Sequence, residues 1–487
     1  MTNRLLWIFG FFGGGALAVA QNSIDRDTFA RIRAEAMERS QAAPVFDEFT
    51  VTIGPRLTAS PAHKRAAEFA RQRLADYGLE NARLEPFHFG RGWALEHLTI
   101  EMTEPRYFPL LGYADAWSPS TRGELLAAPV WIGGKSPEEV AAMGAQLKGA
   151  IVMLDPVMTN FVRKDRPQPS DPGYVPESAA YATSLGGRGR GRGPTPAQRI
   201  AETLRTAGAA AILKPSRGEH GTVFVTGRDK GANAVPTITL SAEHYNMLAR
   251  MLEHHIPVKV RAAVRANYYD ADGGNAFNVL AELPGGDLRD EVVMIGGHLD
   301  SWHTGTGATD NADGAATVME AMRILKAIGA HPRRTIRVAL WAGEEQGLLG
   351  SKAWVAEHLA GDAREKLDVY FNIDNGTGPI YGWFLQNTPA VRPLFDAWLE
   401  PLKSMGARRN VPEAIGSTDH LSFIDAGVPG FNPIQDYVNY DVRTHHTNMD
   451  TAERLDVHDI GQAAASMAWF AYNAAMTTEK IPRPALQ

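Results

Sequence analysis

The stretch Val292-Val-Met-Ile-Gly-Gly-His298 joins a short apolar run to a histidine. A continuous, β-branched run of this length predicts a strand that is buried on both faces, as in a parallel sheet covered by helices. Two similar runs follow, Ile336-Arg-Val-Ala-Leu-Trp341 and Val369-Tyr-Phe-Asn-Ile373, with helical patterns between them at 315–328 and 348–359. This alternation predicts an α/β fold, a three-layer α/β/α sandwich around a mixed, mostly parallel sheet.

Polar side chains follow each of these strands. His298 ends the first run, and Asp374 follows the third. Glu344 and Glu345 come just after the second run. In an open α/β sheet the carboxyl ends of the strands line the ligand crevice. The sequence therefore predicts that a histidine and several carboxylates meet at one edge of the sheet.

Two further candidate residues lie in loops. Asp310 belongs to Gly307-Ala-Thr-Asp-Asn-Ala-Asp-Gly314, and His446 belongs to Thr444-His-His-Thr-Asn-Met-Asp450. His, Asp and Glu together are the ligand types that suit divalent cations, zinc most readily. A carboxylate such as Asp310 that bridged two ions would hold them about 3.5–4 Å apart. Each motif alone is compatible with a satisfied histidine, a helix start or a surface loop, but their joint occurrence in this order favours a two-metal site.

Several motifs in this region carry a resemblance to a known family. They are Gly297-His-Leu-Asp-Ser301, Ala308-Thr-Asp-Asn-Ala-Asp-Gly-Ala315, Ala342-Gly-Glu-Glu-Gln-Gly-Leu-Leu-Gly-Ser351, Asn372-Ile-Asp-Asn375 and His446-Thr-Asn-Met-Asp450. These motifs resemble the co-catalytic dizinc exopeptidases, the metallopeptidase family 28 of aminopeptidase Y and the glutamate carboxypeptidases. The layout is most similar to the branch that contains plasma glutamate carboxypeptidase (carboxypeptidase Q). The stretch Ile53-Gly-Pro-Arg-Leu-Thr-Ala-Ser-Pro-Ala62 resembles the amino-terminal part of the family.

The resemblance implies a role for each matching position. Asp310 would bridge two zinc ions, and Glu344 matches the general base that activates a metal-bound water. Asp300 lies two residues after His298, so the strand period keeps it on the same side, where it can accept the free imidazole N–H of that ligand. The metal ligands would be His298, Asp310, Glu345, Asp374 and His446.

The chain departs from the family at the residue before the last ligand. Many members have a tyrosine there that donates to the developing oxyanion, whereas this chain has His445. An imidazole can make the same donation when its donor nitrogen faces the site. Alternatively His445 is structural and Tyr440 or Tyr437 supplies the donor, and both interpretations stay open at this point.

A substrate-facing loop is also implied by the resemblance. Gly416-Ser-Thr-Asp-His420 is similar to that loop of the family, which makes Asp419 and His420 candidates for substrate contact together with Tyr440. The competing interpretation is a helix cap, because Ser, Thr and Asp are all good N-cap residues.

The amino-terminal residues have the composition of a secretory signal peptide. Arg4 precedes the apolar run Leu5-Leu-Trp-Ile-Phe-Gly-Phe-Phe12, and Ala18-Val-Ala20 supplies small residues at a cleavage site. An uncleaved anchor is the alternative, but a run broken by Gly13-Gly-Gly15 is short against the roughly 20 apolar residues of a membrane span. We therefore expect residues 1–20 to be removed, no stable membrane span to remain, and the protein to be secreted or periplasmic.

The remaining residues are predicted to form two domains. Residues 21–115 and 267–487 would build the catalytic domain, because neither segment has enough elements to close a sheet alone. Residues 116–266 would be an inserted domain, which resembles a protease-associated domain. Within it, Gly186-Gly-Arg-Gly-Arg-Gly-Arg-Gly193 is interpreted as a flexible loop in preference to an RNA-binding segment.

Composition narrows the function further. The chain has 487 residues, a net charge of -6 and no cysteine, which argues against nucleic acid as a partner and excludes thiolate metal ligands. We expect a secreted dizinc exopeptidase that acts on short peptides, and a homodimer is left open. The alternatives are an enzyme similar to a single-zinc glutaminyl cyclase and a non-catalytic binding or receptor module. The sequence does not decide between aminopeptidase, carboxypeptidase and dipeptidase.

Overall fold

A computed structural model describes residues 25–174, 194–231 and 233–483. The predicted signal peptide and the Arg-Gly run at 186–193 lie outside these ranges. The described strands are, in chain order, β1 (Glu80–His88), β2 (Gly92–Glu104), β3 (Phe108–Pro109), β4 (Gly112–Ala114), β5 (Leu125–Ala127), β6 (Val130–Trp131), β7 (Ile151–Met153), β8 (Ala211–Pro215), β9 (Thr237–Leu240), β10 (Lys259–Tyr269), β11 (Asn275–Leu283), β12 (Leu288–His298), β13 (Arg334–Trp341), β14 (Leu367–Asn372), β15 (Thr377–Trp383), β16 (Gly430–Phe431) and β17 (Pro433–Asp436).

The α-helices of the described residues follow the same order. They are α1 (Arg26–Glu38), α2 (Ala42–Asp47), α3 (Pro61–Asp76), α4 (Pro137–Ala142), α5 (Pro196–Ala207), α6 (Ala242–Glu253), α7 (Asp313–Ala327), α8 (Leu349–His358), α9 (Ala363–Lys366), α10 (Arg392–Leu402), α11 (His420–Asp425) and α12 (Val457–Met476).

The central sheet has six strands in the order β1-β11-β13-β12-β14-β16. The pairings β13–β12, β12–β14 and β14–β16 are parallel, whereas β1–β11 and β11–β13 are antiparallel. The fold is therefore a mixed α/β fold, and the strands predicted from their apolar runs are confirmed in β12, β13 and β14.

Helices cover both faces of the central sheet, and the middle of its strands is apolar on both sides. On β12, Val293 and Ile295 pack into the large core that contains α1, α7 and α12. Met294, between them, points to the opposite face and packs with Trp354 of α8 and Phe423 of α11. This alternation with a period of two explains why the run from Val292 shows no polar position.

The long helix α12 lies against one face of this sheet. Asp456 caps it by accepting the backbone N–H of His458. Ala-rich turns let it approach closely, and its aromatic residues fill the space that remains. Phe470 stacks on Trp383 with ring centroids 4.7 Å apart, and Trp469 donates its indole N–H to the Trp398 carbonyl at 2.8 Å. No helix of the described residues is long and apolar enough to cross a membrane.

The segment from β2 to β10 builds two further sheets. One has the order β3-β2-β10-β5 and the other the order β4-β9-β8-β7-β6, in which β6 to β9 are parallel. Their own core includes Met102, Ile151 and Tyr245. We refer to residues 92–269 as the second region. Strand β2 begins before the predicted boundary at 116 and pairs with β10 along its length.

Candidate metal centre

The carboxyl edge of the central sheet carries the predicted site residues. His298 is the last residue of β12, and Asp374 follows the end of the neighbouring parallel strand β14. Glu344 and Glu345 follow β13, which pairs with β12 on its other side. Parallel neighbours end at the same edge, so the three strands bring these side chains together as the sequence predicts.

Asp310 lies between two groups of this cluster. Its Oδ1 is 3.1 Å from His298 Nε2, and its Oδ2 is 3.5 Å from His446 Nε2. On the first side Asp374 Oδ1 lies 3.8 Å from His298 Nε2. On the second side Glu345 Oε2 lies 2.9 Å from His446 Nε2. The five predicted ligands therefore form two groups that share the Asp310 carboxylate.

Several atoms of the cluster are buried and have no hydrogen-bond partner among the described residues. They are His298 Nε2, Asp310 Oδ2 and Glu345 Oε1. Burial, together with the charge of Asp310, raises the pKa of Glu345 to about 7. Clustered carboxylates and imidazoles with free lone pairs are costly to bury unless a cation compensates them. Their donor chemistry fits divalent cations such as zinc.

A backbone carbonyl holds the His298 ring, whereas the prediction gave this role to the Asp300 carboxylate. His298 Nδ1 lies 2.9 Å from the backbone carbonyl of Asp300, whereas the Asp300 carboxylate is 3.6 Å away. That carboxylate accepts instead from Thr58 Oγ1 at 2.7 Å and from the backbone N–H groups of Glu344 and Glu345 at 3.3 and 3.4 Å. Asp300 therefore fixes the turn that carries the two glutamates.

Two buried residues that the sequence reasoning gave no role hold the Asp310 loop. Asp450 accepts the backbone N–H of Thr309 at 2.7 Å and that of Asp310 at 3.2 Å. Arg56 donates to the carbonyls of Thr306 and Gly307, each at 2.8 Å. Both belong to stretches quoted for the family resemblance, which was the one available signal for them.

Glu344 stands beside the cluster and is buried. Burial raises the pKa of its carboxyl well above the usual range, His298 opposes this rise, and the charges of Asp374 and Asp419 add to it. A carboxylate with a raised pKa is a better proton acceptor than an ordinary glutamate.

The three candidate oxyanion donors, His445, Tyr440 and Tyr437, differ in their surroundings. A nitrogen of His445 lies within 4.8 Å of ligand atoms of both Asp310 and His446, and His445 is half-buried. Its ring stacks on Tyr440 with centroids 5.1 Å apart. The Tyr440 hydroxyl is fully buried and has no hydrogen-bond partner within the described part of the chain, and the same is true of Tyr437. The geometry places His445 nearer to open space than either tyrosine.

In the predicted substrate loop Asp419 and His420 are buried, whereas Ser417 is exposed. Asp419 accepts a hydrogen bond from Ser351 Oγ, and His420 Nε2 lies 3.0 Å from the Ile415 carbonyl. Asp419 is the N-cap residue of α11, but its side chain makes no capping hydrogen bond. The capping interpretation therefore does not account for Asp419.

The second region contacts the loop that carries His445 and His446. The backbone N–H of Val225 donates to the His446 carbonyl at 3.0 Å, and Phe224 forms a β-bridge with Thr447. Arg166 donates to both carboxylate oxygens of Asp441. The histidine loop is thus held from outside the central sheet.

A small recess of about 10 Å³, room for roughly one water molecule, lies against the cluster. Asp310, Glu345 and His446 line one part of it, and Trp302 and Thr447 line another. His446 keeps 29% of its side-chain surface exposed, whereas its neighbours Asp310 and Glu345 keep only 5% and 2%. The centre is therefore accessible from the His446 side.

A family model confirms the class to which this fold and site point. The model of peptidase family M28 matches residues 278–471, a range that contains all five predicted ligands. The relatives below match nearly the full length, so the chain belongs to peptidase family M28 and is a metallopeptidase.

Individual relatives extend the comparison beyond that range. The chain is 30% identical to carboxypeptidase Q of Bos taurus over 433 residues, which cover 89% of this chain and 84% of the bovine protein. It is 27% identical to carboxypeptidase Q of Homo sapiens, covering 98% of this chain and 99% of the human protein. A crystal structure of a peptidase M28 precursor from Shewanella amazonensis superposes with a TM-score of 0.71 at 26% identity, covering 95% of this chain and 99% of that one.

Proposed function

We propose that this metallopeptidase is a secreted two-zinc exopeptidase that cleaves terminal bonds of short peptides or dipeptides. The proposal rests on the position of Asp310, whose two oxygens face different histidines. One zinc would be held by His298 and Asp374, the other by Glu345 and His446, with Asp310 shared.

The residues of the chain have distinct tasks in the proposed reaction. Zinc bound by these residues would supply Lewis acidity, which would lower the pKa of a bound water towards 7 and polarise the scissile carbonyl. Glu344 takes the proton of the attacking water and passes it to the leaving amine. The Asp300 carboxylate keeps Glu344 in place by accepting the backbone N–H of Glu344. His445 donates to the carbonyl oxygen as negative charge develops on it.

We further propose that the second region corresponds to the predicted inserted, protease-associated domain and limits the size of the substrate. Its contacts with the His446 loop support this role. The secretory signal at residues 1–20 remains part of the proposal as predicted from the sequence.

Replacing Glu344 by Gln tests the central claim. We expect about two zinc ions per chain in both proteins and a kcat lower by about 100- to 10,000-fold in the variant, because only the proton acceptor is lost. Metal analysis measures the zinc content, and hydrolysis of dipeptides, amino-acid amides and amino-blocked peptides measures kcat. Glu253→Gln, at an exposed position on α6, is the matched control. Wild-type protein without zinc and without peptidase activity would contradict the proposal, and one zinc with cyclisation of amino-terminal glutamine would favour the cyclase.

A further inference from the structure

Away from the metal centre, a second group of metal-ligating side chains lies among the described residues. Glu85 of β1 and the adjacent Glu357 and His358 of α8 each offer one ligand atom, and these three atoms lie within 4.8 Å of one another. Strand β1 is at the edge of the central sheet, and His358 is the last residue of α8. The group therefore joins the edge of the sheet to the end of a helix that covers it.

Neighbouring side chains hold two of these three ligands in place. The Oε2 atom of Glu85 accepts from Arg83 Nε at 3.2 Å and from Arg83 Nη2 at 3.1 Å. Its Oε1 atom lies 2.6 Å from His358 Nε2. The His358 ring stacks on the buried Trp354, with ring centroids 4.8 Å apart. One carboxylate oxygen and one imidazole nitrogen are thus oriented towards each other by residues that could not themselves bind a cation.

The negative charge of the group exceeds what its neighbours offset. Glu85 and Glu357 each carry a carboxylate, and the Arg83 guanidinium pairs with the first of them. Glu357 is exposed and forms no ion pair with any described residue. The C-terminal end of α8 adds the negative end of a helix dipole, which favours a cation at this position. A divalent cation would compensate the second carboxylate and the helix end together.

The ligand types and their spacing suit zinc. Imidazole nitrogen and carboxylate oxygen are usual zinc ligands, and three protein ligands leave the fourth position to a water. Zinc bonds of about 2.0–2.1 Å place neighbouring ligand atoms of a tetrahedral site about 3.3 Å apart. The contact between Glu85 and His358 would lengthen slightly, and the exposed Glu357 would move inwards. We propose that these three residues bind a divalent cation, zinc most readily, at a surface site separate from the metal centre.

An ion at this surface site would tie β1 to α8. The helix begins at Leu349, four residues after Glu345, so the ion would brace the helix that follows the turn of the two glutamates. The surface site shares no ligand with the centre, and the inference does not depend on the reaction proposed there. A cation that binds only the folded chain stabilises it by mass action. We therefore expect zinc at the surface site to raise the melting temperature and to leave kcat/KM unchanged.

Counting bound zinc tests the surface site. Protein that already holds the zinc of its centre is dialysed against rising concentrations of zinc chloride, and wild type should take up one further ion per chain. His358→Phe should take up none, because it keeps a ring on Trp354 but has no ligand nitrogen. Glu357→Gln should bind the further ion more weakly, although the contact between Glu85 and His358 stays intact. Glu253→Gln, at an exposed position of another helix, is the matched control and should bind as wild type does.

A gain of affinity separates a metal site from a simple ion pair. Glu357→His adds a second imidazole and should bind the further ion more tightly, whereas an ion pair between Glu85 and His358 would gain nothing. No further ion in wild type, or a further ion that His358→Phe retains, overturns the surface site and leaves the zinc peptidase standing. A loss of kcat/KM that accompanies the loss of zinc also overturns it, because the missing ion then belongs to the centre. Wild type that takes up the further ion but cleaves no peptide contradicts the proposed function alone.

Discussion

At the scale of single residues, each side chain of the centre is oriented by a partner far away in the sequence. Asp450 holds the backbone of Asp310, and Thr58 donates to the carboxylate that fixes the Glu344 turn. Such partners orient ligands before a metal arrives, and their loss typically lowers metal affinity about 10- to 100-fold. The centre therefore depends on more residues than its five predicted metal ligands.

The oxyanion donor can be assigned by comparing two phenylalanine substitutions. His445→Phe keeps a ring stacked on Tyr440 but removes the donor nitrogen, so we expect kcat to fall by about 100- to 1,000-fold with little change in KM. Tyr440→Phe removes only a buried hydroxyl and should lower kcat much less. Steady-state kinetics on one dipeptide measures both. A larger loss in Tyr440→Phe would assign the donor to the tyrosine.

The sequence could predict the metal ligands but not most of the residues that hold these ligands in place. His298, Glu345 and Asp374 were predictable because each follows an apolar run that reads as a strand, and parallel strands end at one edge. The sequence predicts that the Asp300 carboxylate accepts from the His298 imidazole, yet the backbone carbonyl of Asp300 lies closer to that ring. The two oxygens of the same residue lie 2.9 and 3.6 Å from the His298 Nδ1 atom, and no spacing rule resolves a difference this small. Arg56 carries no local pattern that indicates its carbonyl partners in the 299–307 loop.

At the scale of elements, the periodicity of apolar residues predicts where strands lie better than it predicts which strands pair. The predicted apolar runs lie in β12, β13 and β14, although β12 begins earlier, at Leu288, and β13 and β14 each begin two residues earlier. The partnership of β2 with β10 was not, because it joins segments on either side of a long stretch of chain. Local pattern gives the existence of a strand, whereas pairing depends on long-range packing.

The His446 loop is the element that the second region controls most directly. Asn448 accepts the backbone N–H of Val223 at 2.7 Å and donates to the Gly221 carbonyl at 3.3 Å. Asn448→Ala removes both bonds two residues from His446. We expect zinc affinity to fall about 10- to 100-fold, since this ligand loses its orientation. Competition with a chelator measures the change independently of turnover.

A control substitution separates this effect from a general loss of stability. Asn267→Ala, at an exposed position on β10, should leave zinc affinity unchanged. If Asn448→Ala binds zinc as wild type does, the second region does not position the histidine loop.

At the scale of the whole molecule, the centre lies where two regions with separate cores meet. A small apolar cluster that includes Leu57, Trp93 and Trp302 joins them. Hydrogen bonds such as that from Val225 to His446 make the remaining contacts. Interfaces of this kind, more polar than a core, permit relative motion of the parts they join. The proposed limit on substrate size and the orientation of His446 would then depend on the same contacts.

Global stability should also depend on one buried histidine outside the set of predicted ligands. His63 of α3 is 1% exposed, and burial lowers its pKa to about 4 from the ordinary 6.5. As pH falls from 6.5 towards 4, the unfolded chain takes up this proton and the folded chain does not, so the fold loses stability. Relative to His63→Leu, wild type should lose about 3 kcal/mol of unfolding free energy between pH 7.5 and pH 4. Urea unfolding of both proteins across this range measures the difference, with the exposed His331→Leu as the control. A difference between wild type and His63→Leu that stays constant with pH would mean that His63 accepts a proton in the folded state as readily as in the unfolded chain.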